Sequence, residues 1–156
     1  MTESRGFWAQ LLVRRPKTGP ARTTARILLG AMLAFAGLSH LTTARVEFRD
    51  QVPDILPLDP DLVVVGSGVV EIVLGTALIT LPRRRVVVEL AVAAFFIAVF
   101  PGNIAQWLGA RDGFGLDTDA KRFGRLFFQP VLVLIALWST AAWRDRPRPA
   151  HDRSRA

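Results

Sequence analysis

Residues 62 to 81 read LVVVGSGVVEIVLGTALITL and give the clearest indication of how this chain folds. This stretch contains one charged residue, Glu71, and is closed by Pro82 and a run of three arginines at residues 83 to 85. A helix needs about 20 mostly apolar residues to cross the hydrocarbon of a bilayer. The stretch therefore predicts a transmembrane helix with one carboxyl group inside the membrane.

Three further apolar runs lie around this stretch. The predicted spans are residues 27–44, 62–81, 86–110 and 125–143. Their spacing predicts an all-α fold, a polytopic four-helix bundle in the membrane. The chain then divides into a basic N-terminal arm at residues 1–22, a four-helix domain at residues 23–143 and a basic tail at residues 144–156.

The basic residues predict the orientation of the bundle. Of the 20 lysines and arginines, 14 lie before the first span, in the 83–85 turn and in the tail, and 6 lie in or next to the other two loops. Cytoplasmic loops carry an excess of lysine and arginine, so both termini are expected in the cytoplasm. We expect a multi-pass protein of the plasma (cell inner) membrane, and the excess of arginine over lysine favours a bacterial source.

The composition excludes several classes of protein. The chain has 156 residues, a hydrophobic fraction of 51%, a net charge of +7 and no cysteine. Disulfide scaffolds, thiolate enzymes and iron–sulfur proteins are thereby excluded. The basic residues flank the apolar runs, which is typical of contact with a lipid bilayer rather than a nucleic acid. The sequence shows no metal-ligand spacing and no motif for an intrinsic cofactor.

Small residues form a stripe on each of the first two predicted helices. They are Gly30, Ala34, Gly37, Ser67, Gly68 and Gly75. Stripes of this kind allow helices to approach closely in lipid. Glu71 lies within the second stripe, so its side chain is expected to point at another helix. The stripes fit contacts within one chain or between two chains, and the oligomeric state stays open.

Polar residues on all four predicted helices fall in the outer half of the bundle. At a rise of about 1.5 Å per residue, His40 and Glu71 lie at the same depth to within about 3 Å. Asn103, Arg125 and Gln129 fall near the outer edge. Ionisable groups inside a membrane are costly and mark functional sites, and a carboxyl beside an imidazole can exchange a proton. Such a pair suits a quinol head group, and it equally suits a structural hydrogen bond between helices.

Three other features lead to structural expectations. Glu89 lies about one turn from the 83–85 arginines and is expected to pair with them. The loop with Pro53 and Pro57 is expected to fold back on the mouth of the bundle. Pro101 removes a backbone hydrogen bond and is expected to kink the third helix.

Short segments that resemble a known family occur in order along residues 24 to 143. They are Ala36-Gly37-Leu38-Ser39-His40, Val52-Pro53, Leu56-Pro57, Ser67-Gly68-Val69-Val70-Glu71, Phe100-Pro101-Gly102-Asn103-Ile104 and Arg125-Leu126-Phe127-Phe128-Gln129. Together they resemble the DoxX family of small four-helix bacterial membrane proteins. That resemblance implies similarity to membrane subunits of quinone-linked sulfur oxidation, with thiol and oxidative-stress redox partners.

The resemblance also implies the site residues. By motif match, His40 and Glu71 are the candidate catalytic pair, and Asn103, Arg125 and Gln129 are candidate ligand-binding residues. Quinone is the candidate cofactor, because a chain without cysteine needs a quinone or a partner subunit to carry electrons.

Three functions stay open at this point. The first is a quinone-linked oxidoreductase subunit, and the second is a non-enzymatic membrane anchor for a soluble redox or stress-response protein. The third is a small-solute transporter that uses the third helix.

Overall fold

The computed structural model describes residues 18–113 and 115–139, and these residues are all helical or loop. The helices are α1 (Pro20–Leu41), α2 (Arg45–Arg49), α3 (Pro60–Thr80), α4 (Arg85–Leu108) and α5 (Asp119–Ser139), with a 3₁₀ turn at Pro82–Arg84 before α4. No strand occurs in the described ranges. The predicted all-α fold is confirmed.

Four of these helices are long and apolar enough to cross a membrane. They are α1, α3, α4 together with its preceding 3₁₀ turn, and α5, and they contain 21 to 27 residues each. This is the architecture of a multi-pass membrane protein, so the predicted number of spans is confirmed. The predicted orientation, with both termini in the cytoplasm, stays a prediction.

Two helices begin six or seven residues earlier than the apolar runs predict. α1 begins at Pro20, which is its first helical residue. Proline is favoured at this position because the backbone N–H of the first helical residue has no acceptor within the helix, so its loss costs no hydrogen bond. α5 begins at Asp119 after Thr118, whose carbonyl accepts from the Arg122 backbone N–H at 3.0 Å. The predicted residues 140–143, most of the N-terminal arm and the basic tail lie outside the described residues.

Glycines bring the backbones of α1 and α3 into contact. A Cβ atom placed on Gly37 would lie 2.5 Å from the Gly68 carbonyl oxygen, and one on Gly75 would lie 2.5 Å from the Gly30 carbonyl oxygen. Real Cβ atoms do not approach oxygen so closely, so these positions need glycine. The small-residue stripes therefore pack against each other within one chain.

The second pair of helices, α4 and α5, completes the bundle around an apolar core. The core lies in the half nearer the Pro82–Arg84 turn, which we call the arginine end. It contains Leu29, Leu33, Leu78, Val88, Val92, Ala93, Phe96, Leu132 and Ala136. The opposite half, which we call the loop end, carries α2 and the connections at residues 42–59 and 109–118. There the two helix pairs enclose a cavity.

Candidate functional site

The cavity at the loop end has a volume of about 480 Å³, and all four long helices line it. This volume lies in the range of small-molecule sites, roughly 300–1,000 Å³. The polar residues of its lining are His40, Gln51, Ser67, Glu71, Asn103, Arg125 and Gln129. The structure thus brings all five predicted site residues to one cavity, whereas their functional roles stay predictions.

His40, Ser67 and Glu71 form the cavity wall contributed by α1 and α3. The Ser67 hydroxyl donates to the Val64 carbonyl at 3.0 Å, and His40 Nδ1 lies 3.1 Å from the Ser67 oxygen. Because the serine proton is used for Val64, this network assigns a proton to His40 Nδ1, which donates to Ser67. The serine therefore fixes the orientation of the imidazole ring.

Glu71 is the residue of this wall whose bonding is incomplete. Its Oε2 atom lies 3.6 Å from His40 Nδ1, which is longer than a hydrogen bond. This oxygen is buried and has no hydrogen-bond partner within the described residues, and the residue is 8% exposed. Buried polar atoms in proteins are nearly always bonded. A donor group on a ligand in the cavity would supply the missing partner.

Asn103 and Gln129 lie on the wall contributed by α4 and α5. The Asn103 side-chain nitrogen donates to Gln129 Oε1 at 3.1 Å, and Gln129 Nε2 donates to the Phe96 carbonyl at 2.8 Å. Both ends of the Gln129 amide are therefore bonded to the protein. This geometry supports a positioning role for Gln129, which holds Asn103 at the cavity wall.

Arg125 supplies positive charge to the same wall. Its side chain is half-buried and faces Gln51 of the 42–59 connection, with Nη2 3.5 Å from Gln51 Oε1. With the Gln51 amide turned so that its oxygen faces the guanidinium, both Nη atoms donate to it at 3.1 and 3.2 Å. Arg125 thus joins α5 to the connection that covers the cavity.

Residues 48–56 cover the cavity at the loop end, and we call this segment the roof. Phe48, Val52, Pro53 and Leu56 line the cavity, and the Phe48 ring packs on the His40 ring with centroids 3.4 Å apart. The prediction that this loop folds back on the mouth of the bundle is confirmed.

Part of the cavity lining lies outside the predicted set of site residues. Ser67 was noted only as a small residue, although its place one turn before Glu71 could have marked it as a neighbour of that group. Phe48 and Gln51 gave no signal, because they lie in a connection whose path depends on the packed bundle.

Glu89 differs from its predicted role. It is fully buried, and both carboxylate oxygens lack a hydrogen bond within the described residues. The nearby Ser139 hydroxyl donates to Ala136, and the Arg85 Nη1 atom donates to Thr18 at 2.6 Å. Among the described residues, Glu89 therefore does not form the predicted direct ion-pair contact with the 83–85 arginines, although the charge of Arg85 acts on it. Glu89 lies on the core side of α4, whereas Arg83 and Arg84 are exposed.

The described residues contain no group of three or more metal-ligating acids and histidines placed to hold an ion. Two of the acidic residues, Asp112 and Asp119, form ion pairs with Arg122, each at 2.7 Å. These pairs order the connection between α4 and α5, and they do not touch the cavity.

Comparison with known proteins identifies one family. No curated protein and no solved structure matches the chain. Residues 29–140 match the family model described as Domain of unknown function (DUF8561), and this range includes all five predicted site residues. The resemblance to the DoxX family stays a prediction. Because the match covers more than half of the chain, the protein belongs to the DUF8561 family.

Proposed function

We propose that this protein is the membrane subunit of a quinone-linked redox system and that its cavity binds the quinone head group. The observation that carries the proposal is the Glu71 carboxylate oxygen, which is buried, has no hydrogen-bond partner among the described residues and lies beside His40 at the wall of the cavity. An acceptor in this state suits a ligand that brings its own hydroxyl group.

The cavity lining fits the chemistry of a quinol. A quinol head carries oxygen atoms on opposite edges of an apolar ring. The cavity has polar groups on opposite helix pairs, with His40 and Glu71 on one and Asn103 and Arg125 on the other, and apolar side chains including Phe96 between them. Each edge of the ring can therefore meet polar partners while its face packs on carbon.

Each polar residue has a distinct part in this proposal. Glu71 accepts a hydrogen bond from a ligand hydroxyl, and His40, whose Nδ1 proton is donated to Ser67, lies beside Glu71 as a second proton-carrying group. Arg125 and Asn103 donate to the oxygen on the opposite edge. The quinone supplies the two-electron chemistry when it is bound. Because the chain has no cysteine, a partner protein exchanges electrons with the ligand.

The membrane setting completes the proposal. The arginine end would face the cytoplasm of a bacterial plasma membrane, because the Pro82–Arg84 turn and the start of α1 concentrate arginine there. The cavity then lies in the outer half of the bilayer.

The test measures quinone content per chain after purification in mild detergent from native-type membranes. Glu71→Gln removes the negative charge and replaces one carboxylate oxygen with an amide NH2 group, which donates a hydrogen bond instead of accepting one. Glu89→Gln is the matched control, because Glu89 is also a buried carboxylate in a spanning helix but lines no part of the cavity. We expect near-stoichiometric quinone in the wild type and the control. We expect at least a tenfold weaker retention in Glu71→Gln, which corresponds to about 1.4 kcal/mol of binding free energy.

Two outcomes would contradict the proposal. Equal quinone in Glu71→Gln and wild type would show that the carboxylate does not bind the ligand. Folded protein without quinone in all three samples would remove the site and favour the membrane-anchor function, which identification of co-purified proteins would then address.

A further inference from the structure

The roof separates the cavity from water at the loop end. Arg111, from the connection between α4 and α5, donates to the carbonyls of Asp50 and Val52 at 2.9 and 3.1 Å and pairs with Asp54. On the cavity side, Val52 is buried and Phe48 lies against His40. The roof is therefore fixed from above by Arg111 and from below by its own apolar side chains.

The backbone of α4 also touches the roof. A Cβ atom on Gly102 would lie 3.1 Å from the Gln51 carbonyl oxygen, and Gln51 itself faces Arg125 of α5. At the start of the connection, Arg45 pairs with Asp61 in the first turn of α3. The 42–59 connection, which includes the roof, is thus joined to α3 by an ion pair, to α4 by a close backbone contact and to α5 by a side-chain hydrogen bond.

The sides of the cavity are more open than its roof. Four of its lining residues are exposed, and three of them lie on spanning helices: Ala98 and Pro101 on α4 and Phe128, 59% exposed, on α5. Leu56 is the exposed residue of the roof. Phe128 lies nine residues into α5 and Ala98 ten residues before the end of α4, so each is about 13–15 Å from its helix end. These faces lie at a depth where hydrocarbon surrounds the protein.

From the roof and the sides together, we propose that the ligand enters the cavity sideways from the hydrocarbon of the bilayer, between helices, and not from water at the loop end. The inference rests on the proposed function for the ligand's identity, and it adds the route and the kind of molecule. The ligand is a membrane-soluble amphiphile whose polar head enters the cavity while its apolar tail stays in lipid.

Cysteine labelling tests the route without any ligand. The chain has no native cysteine, so a single introduced thiol reports on one position. Ala36→Cys places the thiol at the cavity wall, on a half-buried residue outside the polar cluster. Val46→Cys is the control on α2, at a residue that is 70% exposed. Each variant is reconstituted in nanodiscs and treated with a charged maleimide or with an uncharged, lipid-soluble maleimide.

We expect both reagents to label Val46→Cys. For Ala36→Cys we expect labelling by the lipid-soluble reagent and at least tenfold slower labelling by the charged one. Adding Arg111→Gln releases the roof and should restore labelling by the charged reagent. Equal rates for the charged reagent at both positions would overturn the inference, and so would failure of both reagents to label Ala36→Cys in folded protein.

Binding kinetics test the side opening itself. Ala98→Trp narrows the opening, and Ala94→Trp adds the same group one turn away on an exposed residue that does not line the cavity. The probe is a decyl-tailed benzoquinone added to quinone-free nanodiscs. We expect at least tenfold slower association in Ala98→Trp and no change in Ala94→Trp. Unchanged association in both would contradict lateral entry, whereas a wild type that binds no probe would contradict the proposed function and leave the labelling result standing.

Discussion

Glu71 and Glu89 are two carboxylates of spanning helices with different surroundings. Both are buried, and both have an oxygen without a hydrogen bond within the described residues. Glu71 lines a cavity of about 480 Å³ beside His40. Glu89 lies in the half of the bundle that the apolar core fills, where the charges of Arg26 and Arg85 act on it. Burial and a missing hydrogen-bond partner therefore do not define a binding site, because a ligand also needs space next to the group.

The largest effect is expected where the backbone that carries Glu71 is disturbed. A Cβ on Gly37 would lie 2.5 Å from the Gly68 oxygen and 2.9 Å from the Glu71 Cβ. Overpacking at such a contact costs about 3 kcal/mol or more of folding free energy, so Gly37→Val should unfold at a clearly lower SDS fraction than the wild type. Tryptophan fluorescence during an SDS titration measures this.

Gly66→Ala is the control for that variant, because its Cβ would meet nothing within 4 Å on the same helix as Glu71. Unchanged unfolding of Gly37→Val would mean that α1 and α3 can separate without loss of stability. The wall of the cavity would then be less fixed than the glycine contacts indicate.

A smaller effect separates the two glutamates directly. Glu89→Ala leaves a void in the packed core and removes negative charge near Arg26 and Arg85, at a cost of roughly 3 kcal/mol. Glu71→Ala only enlarges an existing cavity, so its cost should be roughly 1 kcal/mol or less. The same SDS titration measures both. Equal costs would mean that the surroundings of the two carboxylates do not differ in the way described above.

The smallest expected effect on stability concerns Asp117, an exposed carboxylate that has an ion-pair partner. Asp117 lies outside the spans and accepts from Lys121 Nζ at 2.6 Å, and this hydrogen bond holds its pKa below the ordinary value. A lowered carboxyl pKa stabilises the fold above the unfolded-state pKa, and this stability is lost as the pH falls through the folded-state pKa.

Lys121→Gln should therefore raise the pKa of Asp117, and a carboxyl ¹³C NMR titration measures that change. Stability at pH 7 should stay the same, because exposed ion pairs contribute little. An unchanged titration of Asp117 would show that the lysine is not its main partner in solution.

The number and order of the spans could be predicted from the sequence, because each span is one long and mostly apolar run. The ends were harder to predict. α1 continues back through Arg22 and Arg26 to Pro20, and α5 continues back through Arg122 to Asp119. A hydropathy pattern cannot show that a polar turn belongs to a helix. These first turns are helical because single arginines in them, Arg26 and Arg122, are buried against other parts of the protein.

Part of the candidate site followed from the same reasoning. The common depth of His40 and Glu71 was predictable, because the helical rise per residue is constant and both helices cross the same layer. The roof contacts of Phe48 and Gln51 were not, since the path of a connection depends on the bundle it covers. The surroundings of Glu89 depend on which face of α4 turns inward, and one sequence did not reveal that choice.

The glycine contacts between α1 and α3 have a consequence for motion. Gly30 meets Gly75 and Gly37 meets Gly68, and the two contacts are seven residues apart on each helix. Two such close contacts oppose sliding of α1 along α3, so we expect these helices to move together and to carry His40, Ser67 and Glu71 with them. The movement that opens the cavity to a ligand is then expected in α4 and α5. Gln129 joins these two helices through side-chain hydrogen bonds to Asn103 and Phe96, which can break and re-form.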